Sequence, residues 1–506
     1  MQPMVKTQRL LADHGVTFNN MYVTTPLCCP SRSSLLTGRY SHNTNVVNNS
    51  VAGGCSNAAW QKGLEAKDSL SVILKRLNYT TFYAGKYLNQ YGKKDAGGVE
   101  HVPPGWDWWN GLVGNSKYYN YSLSVNGTLE KHGDKYENDY LTDVIGKKAD
   151  KFLLSWFMRG NGKERNRKRL PRNDAAPFFM MLSVPAPHAP FIPAPQHSKS
   201  FPNITAKRLP SFNVYGKDKH WLLRQARSPL SDESLSYINE TFRRRWQTLQ
   251  SVDDLVHKIV NQLSLMDVLD DTYVLFTSDN GYHLGQFSLP NDKRQLYEFD
   301  VRVPLIVRGP GIKKKQRTDD LVLNIDIAPT IIDLAGGEVP KDMDGISVKG
   351  SLIGSGDEVG DRVPQGRPQQ RPHQRPQQPV RDSFTIEHNG EGNFAIPDHC
   401  PQKKVGGVGE CKIDCVCEDA LNNTYVCIRT INADKNDVYC KFLDADSFEE
   451  QYNLKTDPYQ LVNKAPSLNE ERRESYLRKL FHGVLCTGKI CRSMNDKLVE
   501  EMYGLK

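Results

Sequence analysis

Three apolar segments, each running into a polar loop, restrict the fold of this chain more than any other feature. They are "TTFYAGKY", which ends near Lys86, "FFMMLSV" at 178–184, and "TYVLFTSDNG" at 272–281. Continuous apolar runs of this length are typical of buried parallel strands. Helical apolar spacing at 69–77 and at 246–263 predicts one helix before the first segment and one before the third. The alternation predicts an α/β fold, with a largely parallel sheet covered by helices.

Polar residues follow the end of each predicted strand, where ligands of such sheets bind. They are Lys86, His188 within "PAPHAP", and the Asp279–Asn280 pair before a glycine. Each has an ordinary alternative, since a lone lysine is usually solvated and Asp-Asn-Gly is a common turn. Their shared position after strand ends nevertheless favours one site at one edge of the sheet.

The length of 506 residues and the shifts in composition predict two domains. We expect a main domain at 1–355 that contains a basic insertion at 159–174. A Pro/Gln/Arg-rich stretch at 356–382 cannot build a core. Residues 383–506 then form a smaller, cysteine-rich domain. Its segments "SFTIEHNGEGNFAI" and "TYVCIRTI" predict an antiparallel sheet.

Charge and cysteine usage limit the partners and the compartment. The excess of positive charge behind the net charge of +8 lies entirely in two short runs, at 159–172 and 361–381. Because the rest of the chain is not basic, we expect no nucleic-acid partner. No apolar run is long enough to span a membrane. Eight of eleven cysteines follow residue 399 without paired zinc-type spacing, which favours disulfides. N-glycosylation sequons, which favour the secretory pathway, occur at Asn48, Asn78, Asn120, Asn126, Asn203, Asn239 and Asn422.

The segment "LCCPSRSSLLTGRY" at 27–40 places a cysteine at a helix start. Pro30 suits the first helical turn and Gly38 suits the helix end, so Cys28 lies just before the N-terminus. Cys28 and Cys29 are poor partners for each other, because the ring that they would close is strained. A helix dipole favours a thiolate. The spacing alone leaves open an activated thiol near an anion site and a buried structural cysteine.

Cys-x-Pro-Ser-Arg followed by "LLTGR" resembles the signature of the sulfatase family. The segments "FYAGKYLNQYG", "PAPHAP" and "SDNGYHLGQFSLPNDKRQLYEFDVRVPLIVRGPG" are similar to further sulfatase motifs in the same order. The resemblance covers nearly the whole chain and fails in the two basic insertions and the last residues. It implies an alkaline-phosphatase-like sulfatase fold, in which a large, mixed, mostly parallel sheet lies between helices beside a smaller C-terminal domain with an antiparallel sheet.

The resemblance also implies a mechanism and a cofactor set. Cys28 would be oxidised to formylglycine by the formylglycine-generating enzyme, and its hydrated form would attack sulfur while bound to calcium. The second hydroxyl would then expel sulfate, which an unmodified thiol cannot do. Ten cysteines would remain, a number compatible with five disulfides. The other implied roles are Arg32 orienting the hydrated aldehyde, Lys86 and Lys293 holding sulfate oxygens, His188 protonating the leaving alcohol, and Asp279, Asn280 and the modified Cys28 as metal ligands.

The chain departs from the family before the nucleophile motif. Sulfatases need two consecutive aspartates at the end of a first strand, whereas Asp13 is the single acidic residue before Cys28. The start "MQPMVKTQ" also lacks a signal peptide. We therefore expect one upstream truncation to have removed the strand, half of the metal ligands and the signal peptide, and the chain as given to be nearly inactive. Leu88, where many sulfatases carry histidine, is a feature of one branch.

That branch removes the 6-O-sulfate from N-acetylglucosamine residues of heparan and keratan sulfate in the lysosome, so a sulfated glycosaminoglycan is the expected substrate. Two alternatives stay open: an extracellular heparan 6-O-endosulfatase-like enzyme, and a catalytically impaired glycan-binding homologue that lacks the metal aspartates. The short insertions argue against the first alternative. A related phosphoester hydrolase would carry Ser or Thr at the nucleophile position, which Cys28 opposes.

Overall fold

The computed structural model describes residues 2–161, 176–353, 381–391 and 414–494. Within them, seven helices have six or more residues: α1 Val5–Leu10, α2 Cys28–Thr37, α3 Leu70–Arg76, α4 Leu141–Asn161, α5 Asp232–Leu265, α6 Ile327–Leu334 and α7 Glu470–Leu485. The strands are β1 Val16–Tyr22, β2 Thr80–Lys86, β3 Trp108–Leu112, β4 Ser122–Val125, β5 Thr128–Lys131, β6 Phe178–Ser183, β7 Val274–Thr277, β8 Leu305–Arg308, β9 Gln316–Leu323, β10 Ser383–His388, β11 Tyr425–Ile431, β12 Asn436–Phe442 and β13 Glu449–Asn453. Shorter helices span Ser41–Thr44, Ala58–Trp60, Tyr136–Asp139, Trp221–Arg224, Glu298–Val301, Lys349–Ile353 and Lys489–Arg492.

The main domain contains two sheets, which confirms the α/β prediction but divides the expected single sheet. One has the order β5-β4-β3-β2-β6, and the other has the order β7-β8-β1-β9. The ladders β6–β2–β3 and β1–β9 are parallel, whereas β8 runs antiparallel to both of its neighbours. Both sheets are therefore mixed, and the expected strands at 80–86, 178–184 and 272–281 all form.

The strands β6 and β7 are edge strands of different sheets. Both strands line one cavity of about 2060 Å³. The apolar side chains of β6 and all those of β7 are only half-buried, although continuous apolar strands of this kind are usually covered on both faces. In the described residues, no strand pairs with the outer edge of either one. The cavity is closed on its helical side by apolar residues of α4 and α5, such as Phe157 and Leu263.

The C-terminal sheet is a four-stranded antiparallel meander, β10-β11-β12-β13, as expected. It contacts the main domain directly. The Tyr22 ring of β1 lies 5.2 Å from the Phe384 ring of β10, and the Glu387 amide donates to the Thr24 carbonyl at 2.9 Å. This contact holds the C-terminal domain next to the segment that leads into α2. The boundary at 355 and most of the basic insertion at 159–174 fall outside the described residues, and the boundary at 382 stays a prediction.

One helix prediction needs correction, and one helix start differs from the usual capping pattern. The helix expected at 246–263 extends over 34 residues in α5, because Ser231 caps it from far upstream by accepting from the Ser234 amide. Asp326 precedes α6, but its side chain does not cap the helix. The carboxylate instead pairs with the buried Arg381 guanidinium at 2.5 Å, which ties α6 to the start of the C-terminal domain.

Disulfides form as the sequence predicts, as far as the described residues extend. Cys29 bonds to Cys55 rather than to its neighbour, while two further bridges join Cys427 to Cys440 and Cys486 to Cys491. Cys415 and Cys417 are also disulfide-bonded. Cys28 is the single free cysteine found in these ranges. None of the described helices has the length and apolar character needed to cross a membrane.

Candidate active site

Cys28 is the first residue of α2, one position further into the helix than the sequence predicts. Leu27 is the N-cap and adopts an extended conformation, so the chain turns sharply into the helix. Gly38 ends the helix with a φ of +67°, as the sequence predicts. Cys28 is 1% exposed, and it lies near enough to Lys86, which ends β2, and to Asp279, which follows β7, for their charges to affect its pKa.

Two lysines surround the thiol with positive charge. Lys86 is the last residue of β2, and Lys293 lies in the loop after β7; both are buried. Burial opposes ionisation of Cys28, but the charges of Lys293 and Lys86 outweigh it and lower the pKa of the thiol. The structure therefore brings together the sequence-predicted residues Cys28, Lys86 and Lys293. The alternative of an inert structural cysteine does not explain two buried cations beside one sulfur.

Arg32 and Asp279 form a clamp beside these residues. The Arg32 Nε donates to the Asp279 carboxylate at 2.7 Å, and its Nη1 donates to the Lys86 carbonyl at 2.7 Å. Burial alone would raise the pKa of Asp279, yet the charges of Arg32 and Lys86 lower it to about 2. Asp279 is consequently an anion at every physiological pH, and Arg32 fixes the direction of its carboxylate.

Three buried polar atoms that line the cavity have no hydrogen-bond partner: Lys86 Nζ, His188 Nε2 and Asn280 Oδ1. The other ring nitrogen of His188, Nδ1, lies 2.8 Å from the Ala189 carbonyl and donates to it. Burial and the neighbouring lysines hold the pKa of His188 well below its usual value, so the imidazole is neutral. Buried polar atoms without partners are costly, and three that converge on one space indicate a ligand site.

The loop that holds Lys293 is strained, a feature that sequence reasoning missed. Arg294 has a φ of +95°, a conformation that costs a non-glycine residue about 1–3 kcal/mol. An ion pair between Arg294 and Asp292 at 2.6 Å and a hydrogen bond from the Tyr425 hydroxyl to the Arg294 carbonyl at 3.0 Å hold it. Because Tyr425 belongs to β11, the C-terminal domain takes part in positioning Lys293.

The oxygen donors partly fit a hard cation. Asp279 supplies a carboxylate and Asn280 an unpartnered amide oxygen, the ligand types that calcium prefers. Calcium takes roughly six to eight oxygens, more than these two residues offer. In the described ranges, the only cluster of three potential metal ligands is His42 with Cys486 and Cys491, whose sulfurs are bonded to each other.

The seven predicted glycosylation sites differ in accessibility. The side-chain oxygens of the half-buried Asn48 and Asn239 accept hydrogen bonds from neighbouring protein groups. The other five asparagines are exposed at the surface: Asn78, Asn120, Asn126, Asn203 and Asn422.

Comparison with known proteins decides the family. The family model described as Sulfatase matches residues 2–337. The chain belongs to the sulfatase family. This sulfatase is 46% identical over 494 residues to N-acetylglucosamine-6-sulfatase of Homo sapiens, covering 97% of this chain and 83% of the relative. It is 43% identical over 346 residues to the extracellular sulfatase SULF-1 homolog of Drosophila melanogaster, covering 68% of this chain but 29% of that protein.

Solved structures support the fold. One, described as a complex with its substrate D-glucosamine-2-N,6-O-disulfate, aligns with a TM-score of 0.69 at 21% identity and covers 94% of this chain and 92% of its own. A phosphonate monoester hydrolase from Silicibacter pomeroyi aligns with a TM-score of 0.58 at 17% identity, covering 94% and 88%. At these identities the likeness concerns the fold alone. The expected sulfatase fold is confirmed.

Proposed function

We propose that this sulfatase hydrolyses the 6-O-sulfate ester of N-acetylglucosamine units in heparan and keratan sulfate. The observation that carries the proposal is the 46% identity to N-acetylglucosamine-6-sulfatase over 97% of the chain. The extracellular sulfatase is a weaker candidate, because the chain corresponds to only 29% of its length. The geometry at Cys28 fits a sulfuric ester hydrolase, since buried cations face a cavity that reaches the surface.

In this proposal Lys86 and Lys293 bind the sulfate group. Lys86 Nζ has no protein partner, so a sulfate oxygen would satisfy it. A bound anion would also offset the two charges that depress the pKa of His188. His188 could then carry a proton on Nε2, while Nδ1 stays fixed by the Ala189 carbonyl. A protonated Nε2 in the cavity suits donation to the oxygen of the leaving alcohol.

We further propose that Cys28 is converted to formylglycine by the formylglycine-generating enzyme and that Asp279 and Asn280 hold calcium. These groups would supply an activated oxygen nucleophile and a Lewis acid. Arg32 keeps the Asp279 carboxylate oriented whether or not the metal is bound. The side-chain oxygens of Asp279 and Asn280 are fewer than the ligands that calcium requires. This shortfall supports the hypothesis that an upstream segment provides two aspartates.

The cavity between the sheets is consistent with that hypothesis. An additional strand would satisfy the free edges of β6 and β7 and cover their half-buried apolar side chains. Its end would lie near the carboxyl ends of these strands, where Asp279 follows β7. We propose that the first strand of the full-length gene product fills only the part of this cavity between β6 and β7, and that the end lined by Lys86, His188 and Lys293 stays open to substrate.

The cellular location of the enzyme is inferred from its disulfides and glycosylation sequons. The disulfides and the five exposed sequons support passage through the secretory pathway, and we propose a lysosomal enzyme that acts on sulfated glycosaminoglycans. An extracellular location is the alternative, because an extracellular sulfatase is among the relatives.

The substrate proposal predicts positional selectivity. We expect the full-length gene product to release sulfate from N-acetylglucosamine 6-sulfate at least tenfold faster than from N-acetylglucosamine 3-sulfate or galactose 6-sulfate, measured by ion chromatography. A Cys28→Ala variant is the control for contaminating activity. Equal rates on all three sugars would contradict the proposal. Release from internal units of heparan sulfate, with chain ends untouched, would favour the endosulfatase alternative.

A further inference from the structure

Arg245 on α5 lines the same cavity as His188 and Lys293, yet the mechanism above does not use it. Its Nη1 donates to the Pro187 carbonyl at 2.8 Å, and its guanidinium lies over the Tyr282 ring at 3.9 Å from the centroid. These two contacts fix the side chain between the loop that carries His188 and the loop that follows Asp279.

Arg245 has no counter-charge. Across the described ranges, no carboxylate lies within 4.0 Å of its guanidinium, and burial lowers its pKa. Two other arginines contrast with it, because the half-buried Arg32 and the buried Arg381 pair with carboxylates at 2.7 Å and 2.5 Å. Removing a cation from water without pairing it with an anion is unfavourable, and the cation–π contact with an aromatic ring offsets only part of this desolvation penalty. The guanidinium is therefore suited to an anion from outside the protein.

Arg245 is linked to the loops that carry His188 and Lys293, and this places it on the side of the leaving group. Pro187 directly precedes His188, whose Nε2 faces the cavity. The Tyr282 hydroxyl accepts from Asn291 Nδ2 at 2.9 Å, and Asn291 lies two residues before Lys293. An anion bound to Arg245 would thus lie beside the leaving sugar, while Lys86 and Lys293 bind the 6-sulfate.

We propose that Arg245, supported by Tyr282, forms a subsite for a second anionic group of the glycan substrate, and this rests on the proposed 6-sulfatase function. The anion is a sulfate or carboxylate, because the planar guanidinium matches both in bidentate geometry. It comes either from an N-sulfate on the same glucosamine or from the uronic acid carboxylate of the adjoining sugar. The subsite would make Arg245 a determinant of specificity rather than of the chemical step.

The test is equilibrium binding to the Cys28→Ala protein, in which no turnover occurs. Three ligands are compared by calorimetry: N-acetylglucosamine 6-sulfate, glucosamine 2-N,6-O-disulfate, and a disaccharide with N-acetylglucosamine 6-sulfate linked to glucuronic acid. Arg245→Gln should weaken at least one doubly anionic ligand by about tenfold or more and the first ligand by less than about threefold. Arg245→Lys should restore part of the loss. The matched control is Arg244→Gln, an exposed neighbour on α5 paired with Glu240.

Each outcome decides the proposal. Selective weakening of the disulfate alone would assign the anion to the N-sulfate, and selective weakening of the disaccharide would assign it to the carboxylate. Equal weakening of all three ligands, or no weakening by Arg245→Gln, would overturn the subsite while leaving the 6-sulfate site intact. If the parent protein with Arg245 binds none of the three, the proposed function itself fails, and the subsite fails with it.

Discussion

Lys86→Met is expected to lower kcat/KM of the full-length enzyme for N-acetylglucosamine 6-sulfate by about 10²–10³-fold while the fold becomes no less stable. Lys86 is buried, its Nζ has no partner, and burial lowers its pKa. Burial penalises this charge, the neighbouring Asp279 and Cys28 offset only part of the penalty, and a bound sulfate would offset more of it. Methionine keeps the chain length and removes that charge, so we expect the melting temperature to stay level or rise.

The control for this prediction is Lys151→Met, an exposed lysine on α4. It should change neither kcat/KM nor the melting temperature. Activity is measured by sulfate release and stability by thermal unfolding of the same preparations. A parallel fall of activity and melting temperature in Lys86→Met would show that Lys86 supports the fold, and the sulfate-binding role would have to be abandoned.

His283→Asn is expected to destabilise the fold by about 3–5 kcal/mol, the range for breaking a buried ion network. His283 Nδ1 lies 3.0 Å from Asp300, and Nε2 lies 3.0 Å from Glu418 in the C-terminal domain. Burial disfavours its charge, but the two carboxylates raise its pKa to about 10. Without the imidazolium, two buried carboxylates would face each other between the domains. Urea unfolding of parent and variant measures the difference.

The pH dependence of this difference has a defined sign. Because the folded pKa of His283 is raised from 6.5 to about 10, its stabilisation is complete below pH 6.5 and declines as the pH rises towards 10. The stability gap between parent and His283→Asn should therefore be larger at pH 6 than at pH 9. His257→Asn serves as the control, because the half-buried His257 of α5 forms no ion pair among the described residues, and it should leave the stability nearly unchanged at both pH values. A gap that grows with pH would refute a charged His283.

The residues around Cys28 could be found from the sequence because strand ends and motif positions depend on local patterns. Lys86 ends β2 and Asp279 follows β7, as the apolar runs predict. Other features depend on contacts between distant segments and left no local pattern. His283 meets Glu418 across 135 positions, and the Tyr425 hydroxyl holds the carbonyl of Arg294 across 131. The break between β6 and β7 is likewise visible only once the sheets are assembled.

The contribution of α5 to the site could not be predicted from local patterns either. Its apolar spacing predicted a packing helix, and Val252 and Ile259 do face the core. Arg245, one turn before Leu249, resembles any charged residue in the basic run "RRRW". The Tyr282 ring beneath its guanidinium and the hydrogen bond to the Pro187 carbonyl distinguish it from the exposed Arg244. Side-chain environment, rather than residue type, distinguishes these neighbours.

The state of residue 28 in active enzyme tests the central claim most directly. The full-length protein is produced in a secretory host that contains the formylglycine-generating enzyme, then reduced, alkylated and digested, and the peptide around "LCCPSR" is analysed by mass spectrometry. We predict an aldehyde at position 28 that reacts with a hydrazide probe, and an alkylated Cys29 released from its bond to Cys55. Sulfate release by protein in which Cys28 is wholly alkylated as a thiol would contradict the account.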